Sequence, residues 1–303
     1  MTDAAIAIYG RTYLDAEVEV AVGSLATGKG KVDTQVRAVL GGFGCNAARA
    51  LARVMPAGAV HLTTVISRVD LPRLQAEVPP EVVLDPILHD SLAWPPITVI
   101  VNPAGECRLL RGRAEEDTVH WTLERVRAQT LSAPLQVLGR VPLSMVRALL
   151  ARRRGGTRIA WCGGNAIPLD LERELDLLCV NTAEAQRLLE TQESSPGKLA
   201  QDLAMRANVA SAVRLVTGRG RAPAVAAVRE QGAVMLHEGP PPAEIGPLEI
   251  RQLKGVGDVF AARFLAAACV DSDGQARSTL DVARALTIAA AAATAFIRGA
   301  DAA

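Results

Sequence analysis

The sequence predicts an α/β protein with a mainly parallel central sheet and a second, smaller sheet set apart from it. Three observations carry this. From about residue 120 onward, strand-like and helix-like segments alternate, as parallel sheets with helices on both faces require. Two early stretches, 16–22 and 32–39, alternate apolar and polar residues like half-exposed antiparallel strands. Glycine-rich turns stand at 41–44, 218–220 and 255–257, each where one element gives way to the next.

Taken in order, residues 4–9 alternate little and read as a buried strand ending at Gly10. After the two alternating stretches, Gly41-Gly42-Phe43-Gly44 leads into a helix whose Ala47, Ala50, Leu51 and Val54 recur at helical spacing. Residues 60–66 form a strand. Residues 97–101 and 107–110, joined by a turn at Asn102-Pro103-Ala104-Gly105, form a hairpin. Strands then follow at 135–138, 158–162, 177–180, 213–217 and 224–228. Helices are expected at about 143–154, 182–190, 197–208, 258–269 and 279–298. No repeat or low-complexity linker interrupts the chain, so residues 1–303 read as a single domain.

Composition sets outer limits. Of 303 residues, 50% are hydrophobic and 21% charged, which is enough apolar material for a core and excludes global disorder. A net charge of +1 gives no bulk attraction to nucleic acid or to a membrane surface. The longest apolar run, 288–297, is far short of the ~20 residues that span a bilayer. The N-terminus has no basic region before its apolar stretch and reads as a strand rather than a signal peptide. Cys45, Cys107, Cys162, Cys179 and Cys269 are scattered, with no CxxC. That pattern points to reduced thiols in the cytoplasm and away from a disulfide frame or a zinc site. His61, His89, His120 and His237 lack metal spacing and read as surface or structural residues.

Four segments carry candidate chemistry. Gly255-Val256-Gly257-Asp258 runs straight into a helix, so free N–H groups at the helix start and the close approach that glycine allows make an anion site suited to a phosphoryl group. Asp258 could take a proton from an attacking hydroxyl there, or simply cap the helix. Gly42 and its neighbours allow contact with a small molecule, and the amide of Asn46 suits a sugar diol; the plainer reading is a tight turn with Asn46 as helix cap. Asn181 and Glu184 follow a strand at the edge where open α/β sheets bind ligands. Glu184 could hold a Mg²⁺-bound water, or both could be an ordinary helix start. Thr217, Gly218 and Gly220 end another strand with a loop that could wrap a nucleotide. Neither a GxGxxG dinucleotide fingerprint nor a GxxxxGK[ST] P-loop is present, which removes the nicotinamide-dependent dehydrogenase reading that α/β alternation alone would allow.

In this order, GGFGCNAARALA, NTAE, VTGRG and GVGD resemble the ribokinase (PfkB-type) carbohydrate kinase family over essentially the whole chain. The resemblance implies a three-layer α/β/α sandwich with a small β-sheet lid formed from about 11–40 and 96–112. It implies ATP and Mg²⁺ as partners, and a sugar or sugar derivative, or a nucleoside, as acceptor. By the same resemblance Asp258 is the general base. The backbone N–H groups of Gly255, Val256 and Gly257 form the anion hole for the γ-phosphoryl. Asp15, Gly42 and Asn46 bind acceptor hydroxyls, Asn181 and Glu184 position Mg²⁺ and phosphate through water, and Thr217, Gly218 and Gly220 line the nucleotide. A lid edge of this kind can pair with a partner's edge to form a homodimer.

The sequence also departs from the family. Gln252-Leu253-Lys254 replaces an Asp-containing stretch, and the chain stops at Ala303, so the monovalent cation site is expected to be absent or altered. Lys254 then stands in for the ion or clamps phosphate, or else points to solvent. Tyr13 stands where relatives carry Asn. Arg140 aligns with an acidic sugar contact and would favour an anionic acceptor such as a sugar phosphate or sugar acid, unless it is a surface residue. The loop at 217–221 is about one residue short. These changes motivate a rival reading, a kinase-fold protein that binds ligand without efficient catalysis.

Overall fold

The computed structural model describes residues 4–19, 36–90, 97–101, 107–110, 121, 123–163, 167–218, 220, 222–246, 249 and 254–299. The first strand, β1 (Ile6–Gly10), is buried along its whole length. Then come β2 (Tyr13–Glu19), β3 (Val36–Gly41), α1 (Phe43–Ala52), β4 (Val60–Ser67), α2 (Leu71–Glu77) and β5 (Val82–His89). A hairpin of β6 (Ile97–Val101) and β7 (Cys107–Leu110) precedes α3 (Ala128–Leu131) and β8 (Leu135–Gly139). The rest alternates: α4 (Leu143–Arg152), β9 (Arg158–Cys162), α5 (Leu169–Glu172), β10 (Leu177–Asn181), α6 (Thr182–Leu189), α7 (Pro196–Arg206), β11 (Val213–Thr217), β12 (Val225–Glu230), β13 (Ala233–Glu238), α8 (Val256–Cys269) and α9 (Val282–Ile297).

Nine strands make one sheet in the order β13-β12-β11-β10-β9-β8-β1-β4-β5. All pairs from β11 through to β5 are parallel, whereas β11–β12 and β12–β13 are antiparallel. A second sheet of order β3-β2-β6-β7 stands apart from it. Both segments expected to form a separate sheet therefore do so.

The strands face two cores, which explains why residues 4–9 show no alternation. Ile6 and Ile8 pack with Leu51, Leu74, Phe264 and Leu286, from α1, α2, α8 and α9. Ala7 and Tyr9 point the other way, toward Met145, Leu171, Leu189 and Leu203, from α4 to α7. The result is a three-layer sandwich. Among the described residues, no helix is long and apolar enough to cross a membrane.

Several boundaries differ from the sequence expectation. The two early strands sit at Tyr13–Glu19 and Val36–Gly41, each shifted from its expected range, and residues 20–35 lie outside the described residues. The strand expected at 224–228 runs antiparallel to its neighbour. α2, β5, α3, α5 and β13 are additional elements. β5 carries Pro86 in mid-strand, which a sequence reading discounts. The strand lies at the sheet edge, where proline's missing N–H removes no ladder bond. The Ala-rich α9 packs along α8.

One charge lies deep in the second core. Arg214, in the middle of β11, is fully buried and bonds Glu172 Oε1 at 3.0 Å and the carbonyls of Glu172, Leu175 and Val213 at 3.1–3.2 Å. Burial raises the Glu172 pKa against the pull of Arg214, and lowers that of Arg214 itself. Removing one partner strands the other. Arg214→Ala is therefore expected to lose about 3–5 kcal/mol of unfolding free energy, while Arg214→Met with Glu172→Leu recovers most of it. Urea denaturation reads both. A loss below about 1 kcal/mol in the single variant would contradict the assignment.

Candidate active site

The chain order reverses beside β1: β4 and β5 extend the sheet one way, and β8 to β13 the other. Open α/β sheets place their ligand crevice at such a switch point, beyond the carboxyl ends of the strands. The cleft residues gather next to it, at the carboxyl ends of β8 to β11.

Helix α1 enters over that point. Its N-cap is Gly42, in the left-handed region at φ 92°, and no side chain caps it. The ring of Phe43 lies over the end of β8 so closely that a Cβ on Gly139 would fall 2.0 Å from it. This seating sends Asn46, buried in the second turn of α1, toward α8. Its Nδ2 donates to Asp258 Oδ2 at 2.8 Å. Asn46 is thus not the helix cap that the plainer reading allowed.

Asp258 is likewise not a cap. The N-cap of α8 is Gly255, at φ 89°, and Asp258 sits in the first turn. A Cβ on Gly255 would lie 2.7 Å from Asn46 Nδ2, so both the backbone conformation and the contact require glycine. The first intrahelical bond of α8 is Val259 N–H to the Gly255 carbonyl, so the N–H groups of Val256, Gly257 and Asp258 open the helix without i−4 partners.

Asp258 lines a cleft of about 140 Å³ together with Arg140, Gly163, Asn181, Glu184 and Thr217. Burial pushes its pKa above the usual carboxylate value, as does the charge of Glu184. The Asn46 hydrogen bond and the charges of Arg140 and Lys254 pull the other way without cancelling the rise.

Arg140 is half-buried at the end of β8, in the left-handed region at φ 56°. A non-glycine residue there costs about 1–3 kcal/mol, and such strain clusters at ligand sites. Its position in the cleft sets aside the surface reading. The Lys254 Nζ is buried as well, not turned to solvent.

Asn181 and Glu184 form a reciprocal capping box on α6. Asn181 Oδ1 accepts from Glu184 N–H at 3.1 Å, and Glu184 Oε2 accepts from Asn181 N–H at 3.0 Å. The ordinary helix-start reading therefore holds for both, and Asn181 acts on the cleft through the carboxylate that it orients. Gly163, at φ 43°, leaves room beside it: a Cβ there would come within 3.3 Å of Glu184 Oε2.

The expected nucleotide residues divide. Thr217 lines the cleft at the end of β11. Gly218 closes its loop, since a Cβ there would lie 2.4 Å from the Ala222 carbonyl oxygen. Gly220 is exposed at φ 76° with open space around it. Asp15 pairs through its backbone with Val39 and Ile97 in the second sheet, and its side chain lies outside the described residues. So do Gln252 and Leu253, on which the altered cation site rests. His61 belongs to neither group. It is buried in the sheet, with Nδ1 3.0 Å from Thr130 Oγ1.

Sequence reasoning missed three residues that root the second sheet. Glu77, ending α2, accepts from Arg49 Nη2 and Arg73 Nε at 2.7 Å each, and from Leu40 N–H at 3.3 Å. Arg49 Nη1 donates to the Leu40 carbonyl at 2.9 Å, and Arg73 to that of Ala38. Burial works against the Glu77 carboxylate, but the two arginines hold its pKa below the ordinary value. Arg73 and Glu77 are an i,i+4 pair, but Arg49 and Leu40 lie 28 and 37 residues from Glu77, so no local pattern announces the clamp.

The nine-stranded mixed sheet between two helix layers, with a four-stranded sheet beside it, is a ribokinase-like fold. Adenosine kinase from Anopheles gambiae, in complex with P1,P4-di(adenosine-5) tetraphosphate, matches with a TM-score of 0.70 at 16% identity, over 98% of this chain and 100% of that one. Ribokinase from Arabidopsis thaliana, complexed with ribose and ATP, matches at 0.64 and 17% identity, over 98% and 93%. Phosphofructokinase-2 from Escherichia coli, in complex with fructose-6-phosphate, matches at 0.66 and 14% identity, over 98% and 94%. No family model matches the sequence, and no curated protein does. At these identities the likeness is one of fold.

The Glu77 clamp is testable alone. Glu77→Gln is expected to lower the hydrogen-exchange protection of the Leu40 amide by about 1.5–3 kcal/mol, the range for charge-assisted bonds. Unchanged exchange at Leu40 would mean that a neutral amide holds the root equally well.

Proposed function

We propose that this protein is an ATP-dependent kinase that phosphorylates a hydroxyl of a small anionic sugar derivative. The observation that carries this is the placement of Asp258. A half-buried carboxylate with a raised pKa opens a helix, is held by Asn46, and faces the cationic Arg140 and Lys254. The kinases that share the fold supply the reaction class by analogy.

Phosphoryl transfer needs positioning and charge stabilisation more than covalent chemistry. The acceptor hydroxyl gives its proton to Asp258 while the open N–H groups of Val256 and Gly257 stabilise the transferring phosphoryl. Lys254 adds a buried positive charge at the same helix start. The donor set suits Mg²⁺. Among the described residues, no group of three or more metal-ligating side chains converges, and an ion that keeps most of its water needs only Glu184 and phosphate oxygens. When bound, Mg²⁺ neutralises phosphate charge. The second sheet serves as a lid over the acceptor and excludes competing water.

The test is ADP formation from Mg·ATP across neutral sugars, sugar phosphates, sugar acids and nucleosides. Turnover is expected with an anionic sugar, and Asp258→Asn is expected to cut it by about 10²–10⁴-fold with acceptor binding retained. A near-normal rate in that variant would remove Asp258 as the base. The rate should fall as pH drops through the raised Asp258 pKa, because the base must be ionised. Stability runs the opposite way: the raised folded pKa favours the protonated form, so ionisation at neutral pH costs stability. Asp258→Asn is accordingly expected to raise Tm at pH 7.

Arg140 sets the acceptor class. Arg140→Ala is expected to raise KM for an anionic acceptor by about tenfold or more, the equivalent of one lost charge-assisted bond, with kcat less affected. An unchanged KM, or a preference for neutral sugars in the wild type, would remove that role.

A further inference from the structure

Two cysteines face each other at the floor of the cleft, and the proposed reaction uses neither. Cys162 ends β9, and Cys179 is its registered partner on β10. Both line the cleft with Glu184 and Asp258, at 4% and 5% exposure. Burial, with the Cys179 thiol adding to it, raises the pKa of the Cys162 thiol. Neighbouring strand residues in register point to the same face, so the two sulfurs are side by side.

Two chemistries can join such thiols, and sheet geometry decides between them. A disulfide needs Cβ atoms about 3.5–4.5 Å apart. Strands in a sheet hold their backbones about 4.8 Å apart, with registered side chains standing parallel. Closing a disulfide therefore requires drawing two central strands together. A bridging atom between the sulfurs spans the gap with the strands in place.

We propose that Cys162 and Cys179 form a dithiol site for a soft, thiol-seeking centre of the trivalent arsenic class, which bridges β9 and β10 at the base of the cleft. The step is an exchange without oxidation. A monosubstituted arsenical with two hydroxyls forms two As–S bonds and breaks two As–O bonds. Each thiol proton leaves with a hydroxide as water. Burial keeps the Cys162 thiol protonated at neutral pH, so the departing hydroxide must carry that proton away. The bound centre then sits beside Glu184 and Asp258 and occupies the cleft. Nothing in this site depends on the proposed reaction.

The test treats the folded protein with phenylarsine oxide and weighs it intact. One arsenical per chain is expected, released by a competing 1,2-dithiol. Alkylation of the intact adduct in denaturant, with no dithiol added, should label Cys45, Cys107 and Cys269 and spare Cys162 and Cys179. Cys162→Ser, which stays close to the size of the thiol, should lose the adduct. No adduct on the folded wild type, labelling of Cys162 and Cys179 in the treated protein, or an adduct retained by Cys162→Ser would each overturn the proposal. The wild-type labelling pattern decides the matter even if the variant fails to fold.

Discussion

Helix α1 crosses the end of β1 at a separation that no side chain tolerates. A Cβ on Gly10 would lie 2.8 Å from the Gly44 backbone, and one on Gly44 would lie 2.7 Å from the Gly10 carbonyl oxygen. This glycine-on-glycine contact sets the height of α1 above the sheet, and Phe43 over Gly139 sets its tilt. Everything that α1 carries follows from that seating. Asn46 reaches Asp258 on α8, and Arg49, about one turn further on, reaches Glu77 and the root of β3. A methyl group at Gly10 would therefore disturb the cleft and the second sheet together, though it lies in neither.

Two carboxylates, one fully buried and one half-buried, show how the same fold treats charge for different ends. Glu172 lies in the second core against Arg214, closed off from water and from any cleft. That pair ties the α5 segment to β11 and has no access to a ligand. Asp258 is held by an amide rather than an ion, with Arg140 and Lys254 acting on it through space and Glu184 opposing them. A tight ion pair would have lowered its basicity. The amide leaves the carboxylate oriented, ionisable and more basic than an exposed aspartate, which suits proton transfer near neutral pH.

Most of the fold was legible because its parallel strands are buried on both faces and its turns carry glycine. The strands at Arg158–Cys162 and Val213–Thr217 were read with their observed limits. The edges were not, because an edge strand is written by its neighbours more than by its own residues. Pro86 hides β5, and exposed Met235 and Leu236 give β13 no clear pattern. At the site, Asp258, Asn46, Glu184 and Thr217 were named from their motifs and Arg140 from the family resemblance, and the cleft and its walls bring them together. Their contacts were not legible. That Asn46 holds Asp258 across 212 positions of chain, or that Cys162 meets Cys179, depends on sheet order, which no local window contains. The left-handed backbone of Arg140 was equally invisible, since strain of that kind is imposed from outside the segment.

The clamp at Glu77 constrains how the second sheet can move. Gly42 spends its positive φ on entering α1. Just before it the core holds β3 by three bonds: Leu40 N–H to Glu77, Arg49 to the Leu40 carbonyl and Arg73 to that of Ala38. Rocking the whole sheet about Gly41–Gly42 would break all three, at about 1.5–3 kcal/mol for each charge-assisted bond. Bending the strands beyond Ala38 breaks none of them. Any flexing that keeps these bonds lies in the outer part of the sheet, on a fixed root. Asn46 and Arg49 both stand on α1, so the Asn46–Asp258 contact and the root of β3 rest on one helix.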